Sequence, residues 1–155
     1  MRYFDVHPDK VVWRGDGETL VVEAWGPHSL RVRAVRSGPV LDTDFALLPP
    51  RASGPAITVD ETTATISNGR ITAILRASAG YSEQVEYHTV GCAVEFRDAR
   101  GRTLLRERDR GGSLNLAGRE FRPRLGGDYS LTAHFEGDPD EKLVGMGQYQ
   151  QAIAN

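Results

Sequence analysis

Glycine and proline interrupt this sequence so often that only short regular segments fit between them. The 155 residues include 17 glycines and 8 prolines, and in the intervening runs apolar residues mostly recur with a period of two. Ser29 to Arg36 and Tyr129 to Glu136 show this alternation most clearly. It predicts strands whose apolar residues face a core, while residues such as Arg31 and Arg33 lie largely in solvent.

The run from Thr62 to Arg76 predicts a β-hairpin. Asn68 and Gly69 separate two β-rich halves, and both residue types tolerate the positive φ angles that a type I′ turn needs. Counting outward from a two-residue loop pairs Ile66 with Ile71, which we expect to face the core.

A second hairpin is predicted where Cys92 to Arg97 meets Thr103 to Arg106, with Gly101 in the left-handed conformation at the turn. The polar, irregular runs Ala77 to Val90 and Gly111 to Gly127 are expected to contain longer loops. No amphipathic helix of ten residues or more is evident. The sequence therefore predicts an all-β fold, an antiparallel β-sandwich that forms a single domain over residues 1–155.

Composition argues against several classes of partner. The 19 basic and 21 acidic residues leave a formal net charge of -2, so we expect no nucleic acid partner. Arginines do cluster in the sequence, but acidic residues interleave with them, which predicts a mixed solvated surface; these residues are Arg97, Arg100, Arg102, Arg106, Arg108 and Arg110 with Glu95, Asp98, Glu107 and Asp109.

The cysteine and hydropathy patterns predict a cytoplasmic protein with no membrane contact. No window has the length of a membrane span, and the amino terminus lacks the apolar stretch of a signal peptide. Cys92, the one cysteine of the chain, lies in an apolar alternating run that suits a small buried side chain.

The sequence contains no specific catalytic or metal-binding pattern. His7, His28, His88 and His134 lack metal-ligand spacing, and we expect neither a metal nor a cofactor. The acidic group Asp138, Asp140 and Glu141 is interpreted as a turn with Pro139. The stretch from Gly145 to Gln150 lacks the third glycine of a dinucleotide-binding loop.

Four motifs in order resemble the amino-terminal region of glycoside hydrolase family 31, the retaining α-glucosidases and α-xylosidases. They are GETLVVEAWGPHSLRVR (Gly17 to Arg33), ATISNG (Ala64 to Gly69), FRDARGRTLLRE (Phe96 to Glu107) and DEKLVGMGQYQ (Asp140 to Gln150). The last is similar to the segment that, in this family, closes the sandwich and leads toward a barrel.

The resemblance implies a galactose mutarotase-like sandwich without catalytic residues of its own. In this family an aspartate nucleophile and an aspartate acid/base lie on a (β/α)8 barrel, which would begin beyond Asn155. The implied role is a non-catalytic domain that supports this barrel of the same parent chain, whose substrate is an α-linked oligosaccharide or glycoside. Candidates for the domain junction are Gly145, Gly147, Gln148 and Tyr149.

Two other functions stay open at this point. A stand-alone carbohydrate-binding module would need an exposed aromatic platform, but Trp13 and Trp25 both lie in strand-like context, which favours core positions. A mutarotase-like epimerase would need a histidine and a glutamate facing one sugar, to be drawn from His88 or His134 and from Glu86, Glu95 or Glu136.

Overall fold

The computed structural model describes residues 3–43, 47–51, 53–82, 87–108, 118–137 and 140, with the backbone alone at 79–82 and 87–89. These residues form strands and no helix, which confirms the predicted all-β class. The strands are β1 (Phe4–Val6), β2 (Lys10–Gly15), β3 (Glu18–Ala24), β4 (Leu30–Arg36), β5 (Ala56–Val59), β6 (Thr63–Asn68), β7 (Ile71–Ser82), β8 (Tyr87–Asp98), β9 (Thr103–Arg106), β10 (Arg119–Pro123) and β11 (Tyr129–Ala133).

Two antiparallel sheets pack face to face, as the predicted sandwich requires. One sheet has the order β1-β2-β3-β4 and the other the order β5-β6-β7-β8-β9, while β10 and β11 form a separate two-stranded sheet. Alternate side chains of both large sheets meet in one core, because each strand turns every second residue inward. The largest core side chains include Trp13, Leu20, Ile66, Leu75 and Val94.

The Asn-Gly hairpin exists, but its turn lies one residue further along the chain than predicted. The predicted strand register is therefore wrong. Asn68 pairs with Ile71 and Ile66 with Ala73, so Gly69 and Arg70 form the loop. Asn68 is buried, and its Nδ2 donates to the carbonyls of Gly26 at 2.6 Å and Ser29 at 2.7 Å. These long-range bonds hold Asn68 in strand β6, so the turn begins at Gly69 instead of Asn68.

The second predicted hairpin is confirmed. Glu95 pairs with Arg106 and Phe96 with Leu105, across a turn in which Gly101 has a φ of 80°. The Asp98 carboxylate accepts from the backbone N–H groups of two turn residues, at 2.9 and 3.0 Å. This local bonding is typical of aspartate in turns.

The predicted loop from Ala77 to Val90 is wrong for most of its length. β7 extends to Ser82 and β8 begins at Tyr87, so Ala77 pairs with Cys92 and Tyr81 with His88. These strand segments are ordered by pairing with each other. In the other expected loop region, residues 119–123 form β10, and residues 111–117 lie outside the described part.

Three expectations about exposure are also wrong. Arg31 and Arg33 are mostly buried on the outer face of the four-stranded sheet, where the Nε of each donates to Glu23 Oε1 at 2.8 Å. In the arginine-rich run, Glu95 and Glu107 are buried rather than solvated. The apolar residues of β11, in contrast, are half exposed instead of facing the core.

Candidate functional site

A cavity of about 420 Å³ lies where the three sheets meet. Its lining includes Glu18 from the start of β3, Cys92 from β8, Glu107 just after β9, and Arg119 and Phe121 from β10. The cavity therefore joins residues that are up to about a hundred positions apart in the sequence.

Arg119, on β10, forms hydrogen bonds with residues of both large sheets at this junction. Its Nε donates to Glu18 Oε1 at 2.5 Å, its Nη1 donates to Glu107 Oε2, and its Nη2 donates to the carbonyl of Cys92 at 2.7 Å. The side chains of Arg119 and Glu107 are each 5% exposed. Burial alone lowers the pKa of Arg119, but the carboxylates of Glu107 and Glu18 outweigh it and raise the pKa, so the guanidinium stays charged.

The two-stranded sheet is also attached through its backbone. Arg108 N–H donates to the carbonyl of His134 at 2.9 Å, and within the hairpin His134 N–H donates to the carbonyl of Gly118 at 2.7 Å. A Cβ at Gly118 would lie 2.7 Å from the carbonyl oxygen of Arg108, so only glycine permits this approach. These contacts fix the orientation of the β10–β11 hairpin relative to the sandwich.

The Cys92 thiol is a packing group and not a nucleophile. Burial raises its pKa to about 12, although the nearby Arg119 acts in the opposite direction. The thiol is therefore protonated at neutral pH, and a protonated, buried thiol is unreactive. The prediction that Cys92 is a small buried side chain is confirmed.

A second charged cluster lies on the outer face of the five-stranded sheet around Glu95, which is 1% exposed. Arg97 Nε donates to Glu95 at 2.7 Å, Thr103 Oγ1 donates at 2.8 Å and Arg76 Nη1 at 2.8 Å, while an Arg106 nitrogen lies 3.3 Å away. The bond from Arg97, followed by those from Thr103 and Arg76, holds the pKa of Glu95 well below its usual range. Glu95 is therefore ionised at neutral pH.

The structure tests only some of the residues singled out from the sequence. Gly145, Gly147, Gln148 and Tyr149 lie outside the described residues, as do Glu86, Asp138 and Glu141, and the predictions made for them stay predictions.

Both tryptophans are described. Trp13 is a core residue, as predicted. Trp25 is half buried, and the Arg31 guanidinium carbon lies 3.4 Å from the centroid of its ring. At least one face of the Trp25 ring is thus covered.

The histidine and glutamate pair of a mutarotase-like site does not form around Glu95, because arginines surround that carboxylate. His134 lies 3.9 Å from Glu120, which is too long for a hydrogen bond. Within the described ranges, no group of three His, Cys, Asp or Glu side chains is arranged to hold a metal ion. The described residues include no helix that is long and apolar enough to span a membrane.

Sequence reasoning missed the junction formed by Glu18, Glu107 and Arg119. One signal was present, because the period of two places Arg119 on the same face of β10 as Phe121, and Glu18 on the same face of β3 as Leu20. A charged residue on the apolar side of a strand needs a buried partner of opposite charge. The partner itself is not visible in the sequence.

Comparison with known proteins agrees with the motif resemblance. No family model matches the chain. A protein of Pseudescherichia vulneris, described as an uncharacterized family 31 glucosidase, is 36% identical over 162 residues, which cover 94% of this chain and 28% of that protein. A crystal structure of a GH31 α-xylosidase from a soil metagenome, complexed with xylose, is 34% identical with a TM-score of 0.75, and the match covers 98% of this chain and 23% of that one.

The fold and these matches define a domain of the glycosidase class. More specifically, the chain corresponds to the amino-terminal region of a glycoside hydrolase family 31 protein, which confirms the resemblance seen in the motifs and the sandwich that it implied. The chain spans about a quarter of the length of the relatives that it matches.

Proposed function

We propose that this chain is the non-catalytic amino-terminal domain of a retaining α-glycosidase, an α-xylosidase or α-glucosidase that hydrolyses α-linked sugars. Its role is to support the catalytic barrel of the same parent chain and the rim of the active site. The similarity to a family 31 glucosidase and to a GH31 α-xylosidase, each about four times longer, supports this assignment. The domain needs no cofactor for this role.

The observation that carries the proposal is the pairing of the buried carboxylates with arginines. In the part of the chain that is described, Glu23, Glu95 and Glu107 are the buried acidic residues, and each is bound by at least one arginine. A retaining glycosidase needs a pair of carboxyl groups roughly 5–5.5 Å apart, one of which must hold a proton at working pH. Carboxylates paired with arginines suit structural roles, and at Glu95 the pairing lowers the pKa.

A direct assay tests this assignment. The 155-residue chain and the full-length parent protein are incubated with aryl α-xylosides and aryl α-glucosides, and release of the aryl group is measured. We expect turnover by the parent and none by the isolated chain. Hydrolysis by the isolated chain would refute a non-catalytic role, and a parent protein inactive on both substrate types would refute the assignment to an α-glycosidase.

One observation favours a second function, a stand-alone carbohydrate-binding module. The junction cavity of about 420 Å³ falls within the roughly 300–1,000 Å³ range of small-molecule sites. Titration calorimetry of the isolated chain with xylo- and gluco-oligosaccharides distinguishes the two functions, because the supporting role predicts no sub-millimolar binding.

We also propose a cytoplasmic location, consistent with a sequence whose one cysteine is a buried free thiol. Cell fractionation of the source organism, followed by immunodetection, tests it. Recovery of the parent protein in a secreted or membrane fraction would contradict this proposal.

A further inference from the structure

The two faces of the β10–β11 hairpin differ sharply in polarity. The register pairs Phe121 with Leu131 and Pro123 with Tyr129, which places these side chains on one face. The intervening pairs form the opposite face, and these are Glu120 with Thr132 and Arg122 with Ser130. An amphipathic hairpin of this kind normally turns its apolar face away from water.

Here the apolar face is open. Tyr129 is 41% exposed, Leu131 46% and Phe135, which continues the same alternation, 43%. Phe121 and Tyr129 make an edge-to-face contact with ring centroids 6.5 Å apart, so the face presents a formed aromatic surface. A contiguous exposed apolar surface marks an interaction site in an otherwise polar protein.

The hairpin is held rigidly while its apolar face stays open. Arg119, on the same face of β10 as Phe121, points into the domain and is bound by Glu18 and Glu107. At the same end of the hairpin, where Arg119 pairs with Ala133, Glu107 forms an isolated bridge with Phe135, and Glu136 N–H donates to the carbonyl of Arg106 at 2.9 Å. This end of the hairpin is thus anchored to the sandwich and Phe121 borders the junction cavity, while Tyr129, Leu131 and Phe135 are exposed.

We propose that the apolar face formed by Phe121, Tyr129, Leu131 and Phe135 is the surface on which the carboxy-terminal remainder of the parent polypeptide docks. This rests on the proposed function, in which a barrel follows Asn155. The relatives matched are about four times longer than this chain, so most of the parent lies outside it.

The position of the face in the chain supports this occupant over a second copy. β11 is the last strand of the described residues and ends at Ala133, so the face lies in the carboxy-terminal part of the described chain. A domain that is joined covalently to this chain has an effective local concentration that can reach the order of millimolar. A second copy of the chain has no such advantage.

Cysteine labelling tests the docking directly. Leu131→Cys and Thr132→Cys change neighbouring exposed residues on opposite faces of β11, and the native Cys92 contributes little background because it is buried and its pKa is raised to about 12. Each variant is made in the isolated chain and in the full-length parent, reacted with a fluorescent maleimide, and the labelled site is identified by peptide mapping.

We expect both cysteines to react at similar rates in the isolated chain. In the parent, Leu131→Cys should react at least tenfold more slowly, while Thr132→Cys is unchanged. Tyr129→Cys provides a second variant on the apolar face if Leu131→Cys does not fold, as judged by far-UV circular dichroism.

Equal labelling of Leu131→Cys in the isolated chain and the parent would overturn the proposal. Protection of Leu131→Cys in the isolated chain that increases with protein concentration would also overturn it, because a second copy would then cover the face. Glycosidase activity is measured on the same parent samples, so an inactive parent that still protects Leu131→Cys contradicts the proposed function alone, and an active parent without protection contradicts the docking alone.

Discussion

Replacing Arg119 with methionine should destabilise the domain strongly, because it removes a buried cation that joins the three sheets at the junction. Methionine keeps much of the length and apolar stem of arginine but carries no donor and no charge. Glu107 and Glu18 then lose the guanidinium that neutralises them, and the carbonyl of Cys92 loses its donor. The Glu107 side chain, 5% exposed, is the group left most poorly solvated.

The expected magnitude follows from this burial. Removing one partner of a buried ion pair costs about 3–5 kcal/mol, since the other charge remains without compensation. The cavity beside Arg119 can admit water to part of the network, which favours the lower end, about 3 kcal/mol. For a domain of this size each kcal/mol corresponds to roughly 2–4 °C, so the midpoint of thermal unfolding should fall by roughly 6–12 °C.

Urea unfolding followed by tryptophan fluorescence measures the free energy, because Trp13 lies in the core. Arg122→Met is the matched control: it changes the same residue type on the same strand, but its side chain is 75% exposed and pairs with Glu120 at 3.1 Å. That variant should lose less than about 1 kcal/mol. Equal losses in Arg119→Met and Arg122→Met would refute the reasoning.

A double-mutant cycle isolates the pair of Arg119 and Glu107. Glu107→Gln retains an acceptor for the Val94 N–H, which bonds Glu107 Oε2 at 2.9 Å, but it removes the buried negative charge. In the Arg119→Met background this second change should therefore cost less than it does alone, by about 1–3 kcal/mol. Simple additivity of the two losses would contradict the role given to this pair.

Three further outcomes are expected. Arg97 and its neighbours hold the pKa of Glu95 well below its ordinary value of 4.5. On acidification the Glu95 carboxylate is therefore protonated at a higher pH in the unfolded chain than in the folded one. The free energy of unfolding should fall below about pH 4.5, and Glu95→Gln should flatten that decline and lose roughly 2 kcal/mol at pH 7. Gly69→Ala should lower the unfolding midpoint more than Gly101→Ala, because a Cβ at Gly69 would lie 2.2 Å from the carbonyl oxygen of Pro27, whereas Gly101 has open space and only its φ of 80° is unfavourable. The Cys92 thiol should react with Ellman's reagent at pH 8 only after denaturation, because its pKa is raised to about 12. The first expectation would be contradicted if Glu95→Gln left the fall of the free energy of unfolding with pH unchanged. The second would be contradicted by equal losses of midpoint in the two alanine variants, and the third by rapid reaction of the Cys92 thiol in the native protein.

Local chemistry predicted where the chain turns but not the register. The Asn-Gly pair marks the β6–β7 turn, yet Asn68 bonds the carbonyls of Gly26 and Ser29, about forty residues earlier. A propensity rule sees Asn68 as a turn residue, whereas these bonds make it a strand residue. The φ of 62° at Gly69 is the part of the turn that the sequence predicted correctly.

Composition misled the interpretation of Ala77 to Val90. Small and polar residues there satisfy the usual description of a loop, but pairing between β7 and β8 orders them as strands. Cross-strand pairing depends on which segments become neighbours, and that is decided by the whole sheet. The same limit applies to Glu95, whose bonds come from three different strands.

The junction was beyond sequence reasoning for a related reason. Arg119 and Glu18 are separated by about a hundred residues, and no local pattern indicates that β3 and β10 approach each other. The sequence shows that Arg119 occupies the apolar side of its strand, which establishes that a partner is needed. Only the arrangement of the three sheets identifies Glu18 and Glu107 as that partner.

The Arg119 network and the open face of β10–β11 are two parts of one arrangement. A two-stranded hairpin alone is marginally stable in water, and if it were mobile, docking would have to order it at a cost in binding free energy. Because Arg119 already holds the hairpin against the sandwich, the apolar face is presented in a fixed orientation before any contact forms. Arg119→Met should therefore weaken the protection of Leu131→Cys in the parent protein even though Arg119 itself is buried, whereas Arg122→Met should leave that protection intact.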